Sequence, residues 1–124
     1  MDCPKCFRSM ELVSFKSIEV ERCTGCHGLW FGLLEAERLA RVSGSEAIDD
    51  GDPHEGARWD GVMRVVCPEC ETPMVRMADA RQHHLWYETC KVCGGMFFDA
   101  GEFRDYKERS ILDFFHDLFT KERH

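Results

Sequence analysis

Short runs of alternating apolar and polar residues open the chain. Val13 and Phe15, then Ile18 and Val20, have polar neighbours between them, and Lys16-Ser17 lies where the pattern reverses. Period-two alternation on both sides of a two-residue break predicts a β-hairpin. A second hairpin is predicted downstream, where Val75 and Met77 lead into Ala78 to Gln82 and His84 to Glu88 returns. After each hairpin the chain is expected to enter a helix. Asp99 and Glu102 have the spacing of a capping box, with Asp99 able to accept from first-turn amides. Gly32 and Glu35 hold the same places earlier and make a weaker cap. Near the C-terminus Ile111, Phe114, Phe115 and Leu118 recur at helical spacing, flanked by Leu112 and Phe119, and Phe103 and Tyr106 continue the stripe. That pattern predicts a long amphipathic helix over 102–124.

The hairpins belong to an internal repeat. Cys3-Pro4-Lys5-Cys6 followed by Met10 matches Cys67-Pro68-Glu69-Cys70 followed by Met74, at an offset of 64 residues. Cys26-His27-Gly28-Leu29-Trp30-Phe31 matches Cys93-Gly94-Gly95-Met96-Phe97-Phe98 at an offset of 67. The three extra residues of the second copy fit the turn of its hairpin. The expected units are residues 1–42, an acidic linker over 43–61, residues 62–101, and the C-terminal helix over 102–124. Ser43 to Gly61 is rich in glycine and poor in apolar side chains, which reads as a solvated tether.

The eight cysteines form four Cys-x-x-Cys pairs: Cys3 and Cys6, Cys23 and Cys26, Cys67 and Cys70, Cys90 and Cys93. Disulfides are the rival use of such a set. With Cys3 so near the N-terminus no signal peptide is expected, and no apolar run reaches the roughly 18 residues of a membrane span. A cytoplasmic location is therefore expected, where thiols stay reduced and serve metals. Two Cys-x-x-Cys turns brought together by a hairpin supply four thiolates, the donor set of a tetrahedral structural zinc. Each copy has only about 40 residues, too few for a core alone, and a structural zinc contributes on the order of 10–16 kcal/mol. Two zinc ions are expected; iron, which four thiolates also hold, ranks below zinc.

Other candidate chemistry is thin. Four thiolates close the coordination sphere, so neither metal is expected to be catalytic. A redox Cys-x-x-Cys would call for a βαβ setting that is missing from the pattern. Glu35 and Glu102 read as helix caps rather than catalytic acids. His27, His83 and His84 read as surface or packing residues, and Asp49, Asp50, Asp52 and His54 as part of the tether rather than a third metal site. Trp30, Phe31, Phe97 and Phe98 read as packing beneath the metals. Net charge is −7, and Glu46, Asp49, Asp50, Asp52, Glu55 and Asp60 face only Arg58 in the linker. A nucleic-acid binder normally carries a basic stripe. Arg76, Arg81, His83 and His84 on the second hairpin are the only local basic candidates.

The string Cys-Pro-x-Cys…Cys-x-x-Cys-x-Gly-x-Trp-Phe…Glu resembles the bacterial transcription-factor-IIB-type zinc ribbons, the transcription factor zinc-finger domain. Cys3, Cys6, Cys23, Cys26, Gly28, Trp30, Phe31 and Glu35 carry the likeness in the first copy. Cys67, Cys70, Cys90, Cys93, Gly95, Phe98, Asp99, Gly101 and Glu102 carry it in the second. Gly32 and Leu34 stand where that family usually has aspartate and glycine, and Phe97 where it has tryptophan. The resemblance implies zinc binding; its name suggests transcription only by analogy. The expected architecture is a small metal-dependent α+β fold of two tandem zinc ribbons, each followed by a helix. The expected role is that of a non-enzymatic adaptor or regulator contacting a protein partner through its ribbons and C-terminal helix. The apolar face of that helix is also a candidate dimer seam. A nucleic-acid-binding, transcription-associated ribbon protein is the alternative.

Overall fold

The computed structural model describes residues 1–59, 61–62, 64–78 and 85–109. The readings placed on Arg81, His83, His84 and the stripe from Ile111 to Phe119 lie outside those residues, as does any helix beyond 109.

The first hairpin forms where alternation predicts it. Strand β1 (Met10–Phe15) pairs antiparallel with β2 (Ile18–Cys23), from Phe15 opposite Ile18 to Met10 opposite Cys23. Lys16 and Ser17 take φ values of 47° and 69°. Positive φ at both turn residues gives the turn whose twist matches that of the flanking strands. A short third strand, β3 (Leu29–Phe31), pairs with the other side of β2, setting Trp30 opposite Glu21. The second copy repeats the plan with β4 (Val75–Ala78), β5 (Trp86–Thr89) and β6 (Met96–Phe98).

The two ribbons share one sheet. Strands β3 and β6 pair antiparallel, giving a six-stranded order β1-β2-β3-β6-β5-β4. Trp30 lies opposite Phe97, Leu29 opposite Phe98 and Phe31 opposite Met96. Since 29–31 and 96–98 are equivalent in the repeat, the seam is self-complementary, as at an isologous dimer interface. A local two-fold axis passes between Trp30 and Phe97.

Side chains alternate across this sheet. One face carries Val20, Leu29, Phe31, Met96 and Phe98, buried with Phe103 and the helical residues Ala36 and Leu39. The rings of Phe31 and Phe103 lie 4.9 Å apart, and those of Tyr87 and Phe98 stack at 5.1 Å. Trp30 and Phe97 point to the opposite face and pack among the cysteines. The aromatic pairs thus divide: Trp30 and Phe97 lie with the metal sites, whereas Phe31 and Phe98 belong to the apolar core.

Helix α1 (Glu35–Ala40) follows β3, and residues 102–109 are helical after β6. Glu35 Oε1 accepts from the Gly32 amide at 2.7 Å, the reciprocal half of a capping box. The second helix is capped differently from the sequence expectation. Asp99 Oδ2 receives the Lys5 ammonium at 2.6 Å, and Glu102 Oε2 accepts from the Trp86 amide at 3.3 Å. The Gly101 and Arg104 amides instead donate to Asp49 Oδ1 and Oδ2, at 2.8 and 3.0 Å. Asp49 therefore caps, from 52 residues away, a helix whose own cap position is occupied otherwise.

The acidic segment is folded where a solvated tether was expected. It contains a 3₁₀ turn (Ser45–Ile48) and helix α2 (Pro53–Trp59). Ile48, Ser45 and Asp49 are buried. Ser45 Oγ donates to the Leu39 carbonyl at 2.5 Å. Lys107 Nζ donates to the Val42 carbonyl at 2.8 Å and pairs with Glu46. Gly51 and Gly56 lie against Ala100. The segment has few apolar side chains, but its small and polar ones fill specific places. Among the described residues no helix is long and apolar enough to cross a membrane.

Candidate metal centres

Each Cys-x-x-Cys is the corner of the same tight backbone loop, built four times. The amide following the second cysteine donates to the carbonyl of the first: Phe7 to Cys3, His27 to Cys23, Glu71 to Cys67 and Gly94 to Cys90, at 2.8–3.2 Å. The first cysteine's own amide donates onward to the carbonyls of Arg8, Gly28, Thr72 and Gly95. The loop closes through a left-handed residue, with φ of 65° at Phe7, 62° at His27, 59° at Glu71 and 77° at Gly94. Three of these four are not glycine, a conformation costing about 1–2 kcal/mol each. Hydrogen bonds at both ends of the loop hold it there.

The loops meet in pairs. Cys3, Cys6, Cys23 and Cys26 form one group and Cys67, Cys70, Cys90 and Cys93 the other, with sulfurs within 4.8 Å of one another in each. These are all eight residues that the spacing singles out, in the grouping it predicts. Cys3 and Cys26 sulfurs are 3.7 Å apart, Cys67 and Cys93 3.8 Å, and Cys6 and Cys23 3.2 Å. Zinc–thiolate bonds of about 2.3 Å in a tetrahedron set sulfurs about 3.8 Å apart, so the donors fit that ion. The eight thiols are free of disulfides. The two groups fit two structural zinc ions. Among the described residues no third cluster of metal donors forms. Asp49 turns to the helix amides, Asp50 to Arg22 and His27, and the His54 amide donates to Asp52.

Backbone amides support the sulfur charge. Gly25 and Cys26 amides donate to Cys23 Sγ at 3.3 and 3.4 Å, and the Cys70 amide donates to Cys67 Sγ at 3.3 Å. Without metal the thiols divide the protons unequally. The hydrogen bond from Cys26 holds Cys3 down to about 5, and the same contact pushes Cys26 up. Burial raises Cys23 to about 11. Contact with Cys93 raises Cys70 to about 12. Burial opposes ionisation of Cys90, yet the Cys93 amide and the Thr72 hydroxyl bring it to about 6. Zinc loading therefore displaces protons from both groups. When bound, the ion cross-links two loops and leaves no position for water or substrate.

The metal sites are tied to the seam. Gly28 and Gly95 each lie two residues beyond the last ligand of their site. A Cβ on Gly28 would fall 2.3 Å from the Phe97 ring, and one on Gly95 would fall 2.4 Å from the Trp30 ring. Each ribbon's glycine thus makes room for the other ribbon's aromatic. Lys5, inside the first loop, has a side chain fully screened from solvent. Its ammonium lies 2.8 Å from Glu88 Oε1 and 2.6 Å from Asp99 Oδ2, and it donates to the Trp59 carbonyl at 3.2 Å. Nothing in the sequence near Lys5 marks it as a bridge to residues more than 80 positions away.

The family profile described as transcription factor zinc-finger matches the chain twice, over residues 2–42 and 66–109. No curated protein and no solved structure matches it.

Proposed function

Because the chain belongs to the transcription factor zinc-finger family and binds zinc through two four-thiolate centres, we propose that it is a non-catalytic adaptor that docks on a partner protein. The observation that carries this reading is a break in the internal symmetry. Ala100 is 3% exposed, covered by Gly51 and Gly56 of the acidic segment. Its equivalent, Leu33, lies against Gly94 and is 63% exposed. Leu34 is 53% exposed at a φ of 64°, and Val92, in the loop beside Gly94, is 70% exposed. Three apolar side chains thus stand open where the chain covers its own opposite end. A strained, exposed leucine is better explained by a contact than by the fold.

The alternative of nucleic-acid binding draws on the second hairpin, where the Arg76 guanidinium lies 5.1 Å from the centre of the Trp86 ring. Arg76 also lies 3.8 Å from Glu88 Oε1, which offsets its charge. The net charge of −7 opposes phosphate binding.

Two measurements test the adaptor reading. Fluorescence anisotropy with a labelled random-sequence duplex should show no binding at protein concentrations up to about 10⁻⁴ M at physiological salt. In-cell crosslinking of wild type and of Leu33→Ser/Val92→Ser should show a specific protein adduct lost in the variant, with zinc content unchanged. Tight, steeply salt-dependent DNA binding would overturn the reading in favour of the alternative.

A further inference from the structure

Three contacts make each metal site a support for the other ribbon. Lys5 projects from the turn between Cys3 and Cys6 and ends between Glu88 and Asp99. Glu88 lies on β5 two residues before Cys90, and Asp99 directly follows β6. Gly28 and Gly95, placed by the second loops of their sites, receive Phe97 and Trp30. A first loop that is not held by metal does not present Lys5, and two carboxylates are then buried without that cation. A second site that is not held by metal displaces Gly95 and Glu88, removing the bed of Trp30 and one of the partners of Lys5.

From these contacts we propose that the two zinc sites load cooperatively, with Lys5 as the residue that transmits the coupling. The linkage is reciprocal, since whatever site 1 contributes to the affinity of site 2 returns in equal measure. The bridge itself runs one way in the structure. Glu69, which occupies the place of Lys5 in the second copy, is exposed. Substitution of Lys5 therefore uncouples the sites without touching a ligand. The inference rests on the zinc sites and not on the adaptor reading, so either can fail alone.

The experiment is native mass spectrometry of the apoprotein titrated with zinc under reducing conditions. At half saturation two independent, equal sites give about half of the chains with one metal, and unequal sites give more. Tenfold positive coupling brings the one-metal species to about a quarter. Wild type is expected at or below that level. Lys5→Met should restore it to about half or above, whereas Lys91→Met, the same change in an exposed metal loop, should not. A second measurement stands even if the Lys5 variant does not fold. In Cys67→Ser/Cys70→Ser, zinc affinity at site 1, read by competition with a chromophoric chelator, should fall at least about tenfold. A one-metal fraction that Lys5→Met leaves unchanged, or an unchanged site 1 affinity in the double variant, overturns the proposal.

Discussion

Leu34 shows how a single backbone angle separates the two copies. Gly101 and Leu34 both precede a helix in the left-handed region, with φ of 90° and 64°. Glycine takes that conformation freely, whereas leucine does so at about 1–2 kcal/mol. Replacing Leu34 with glycine relieves that strain but frees the unfolded chain by about 0.4–1 kcal/mol. Because Leu34 is half exposed, little burial is lost, and a net gain of about 0.5–1 kcal/mol is expected on urea unfolding of the zinc-loaded protein. If the side chain docks a partner, the same variant binds that partner less well. The spacing of the eight cysteines made every metal donor legible, because a ligand set is a local pattern stated twice. The reason for Gly28 and Gly95 was not legible. Each glycine is required by a ring from the other copy, and no local rule connects them.

At the level of elements, the segment after α1 is the main departure from expectation. Its average composition resembles a tether, but averages hide what single side chains do. Ile48 enters the core, Ser45 and Lys107 satisfy the end of α1, and Asp49 caps a helix distant in sequence. Burial holds the Asp49 carboxyl above its ordinary range, against the downward pull of the Gly101 and Arg104 amides. The folded protein thus keeps this proton more tightly than the unfolded chain, whose aspartates ionise near about 3.9. Stability from the group is complete below that value and is lost as pH rises through the folded one. Asp49→Asn cannot ionise and keeps one acceptor. Its stability relative to wild type should therefore improve as pH rises from about 4 to 7. Asp49→Ala removes both acceptors and should cost about 1–2 kcal/mol near pH 4, and less as pH rises. Urea unfolding with excess zinc, at several pH values, checks both.

Across the whole molecule, metal and fold form one system. The hairpins were legible because alternation is a short-range signal. The pairing of β3 with β6 was not, because three-residue strands carry no periodicity and Trp30, Phe31, Phe97 and Phe98 read as packing beneath the metals. Protons compete with zinc for the thiols: Cys23 and Cys26 at the first site, and Cys67 and Cys70 at the second, are held above the ordinary thiol range and keep theirs at neutral pH. Each zinc bound at neutral pH should therefore release more than one proton, measurable by calorimetry in buffers of different ionisation enthalpy. Affinity should fall steeply as pH is lowered from about 7 to 5, with zinc passing to a chromophoric chelator as near-ultraviolet circular dichroism is lost.

The self-complementary seam has a consequence for how such a chain can change. A lone ribbon of this kind would meet an identical twin across β3, and any substitution would appear on both sides of the axis at once. Joining the halves in one polypeptide ends that obligation. One half can hold a lysine where the other holds a glutamate, or bare a leucine where the other hides an alanine. Covalent linkage thus turns a symmetric pairing into a polar object with two distinguishable ends, which a solitary ribbon pairing with itself could not be.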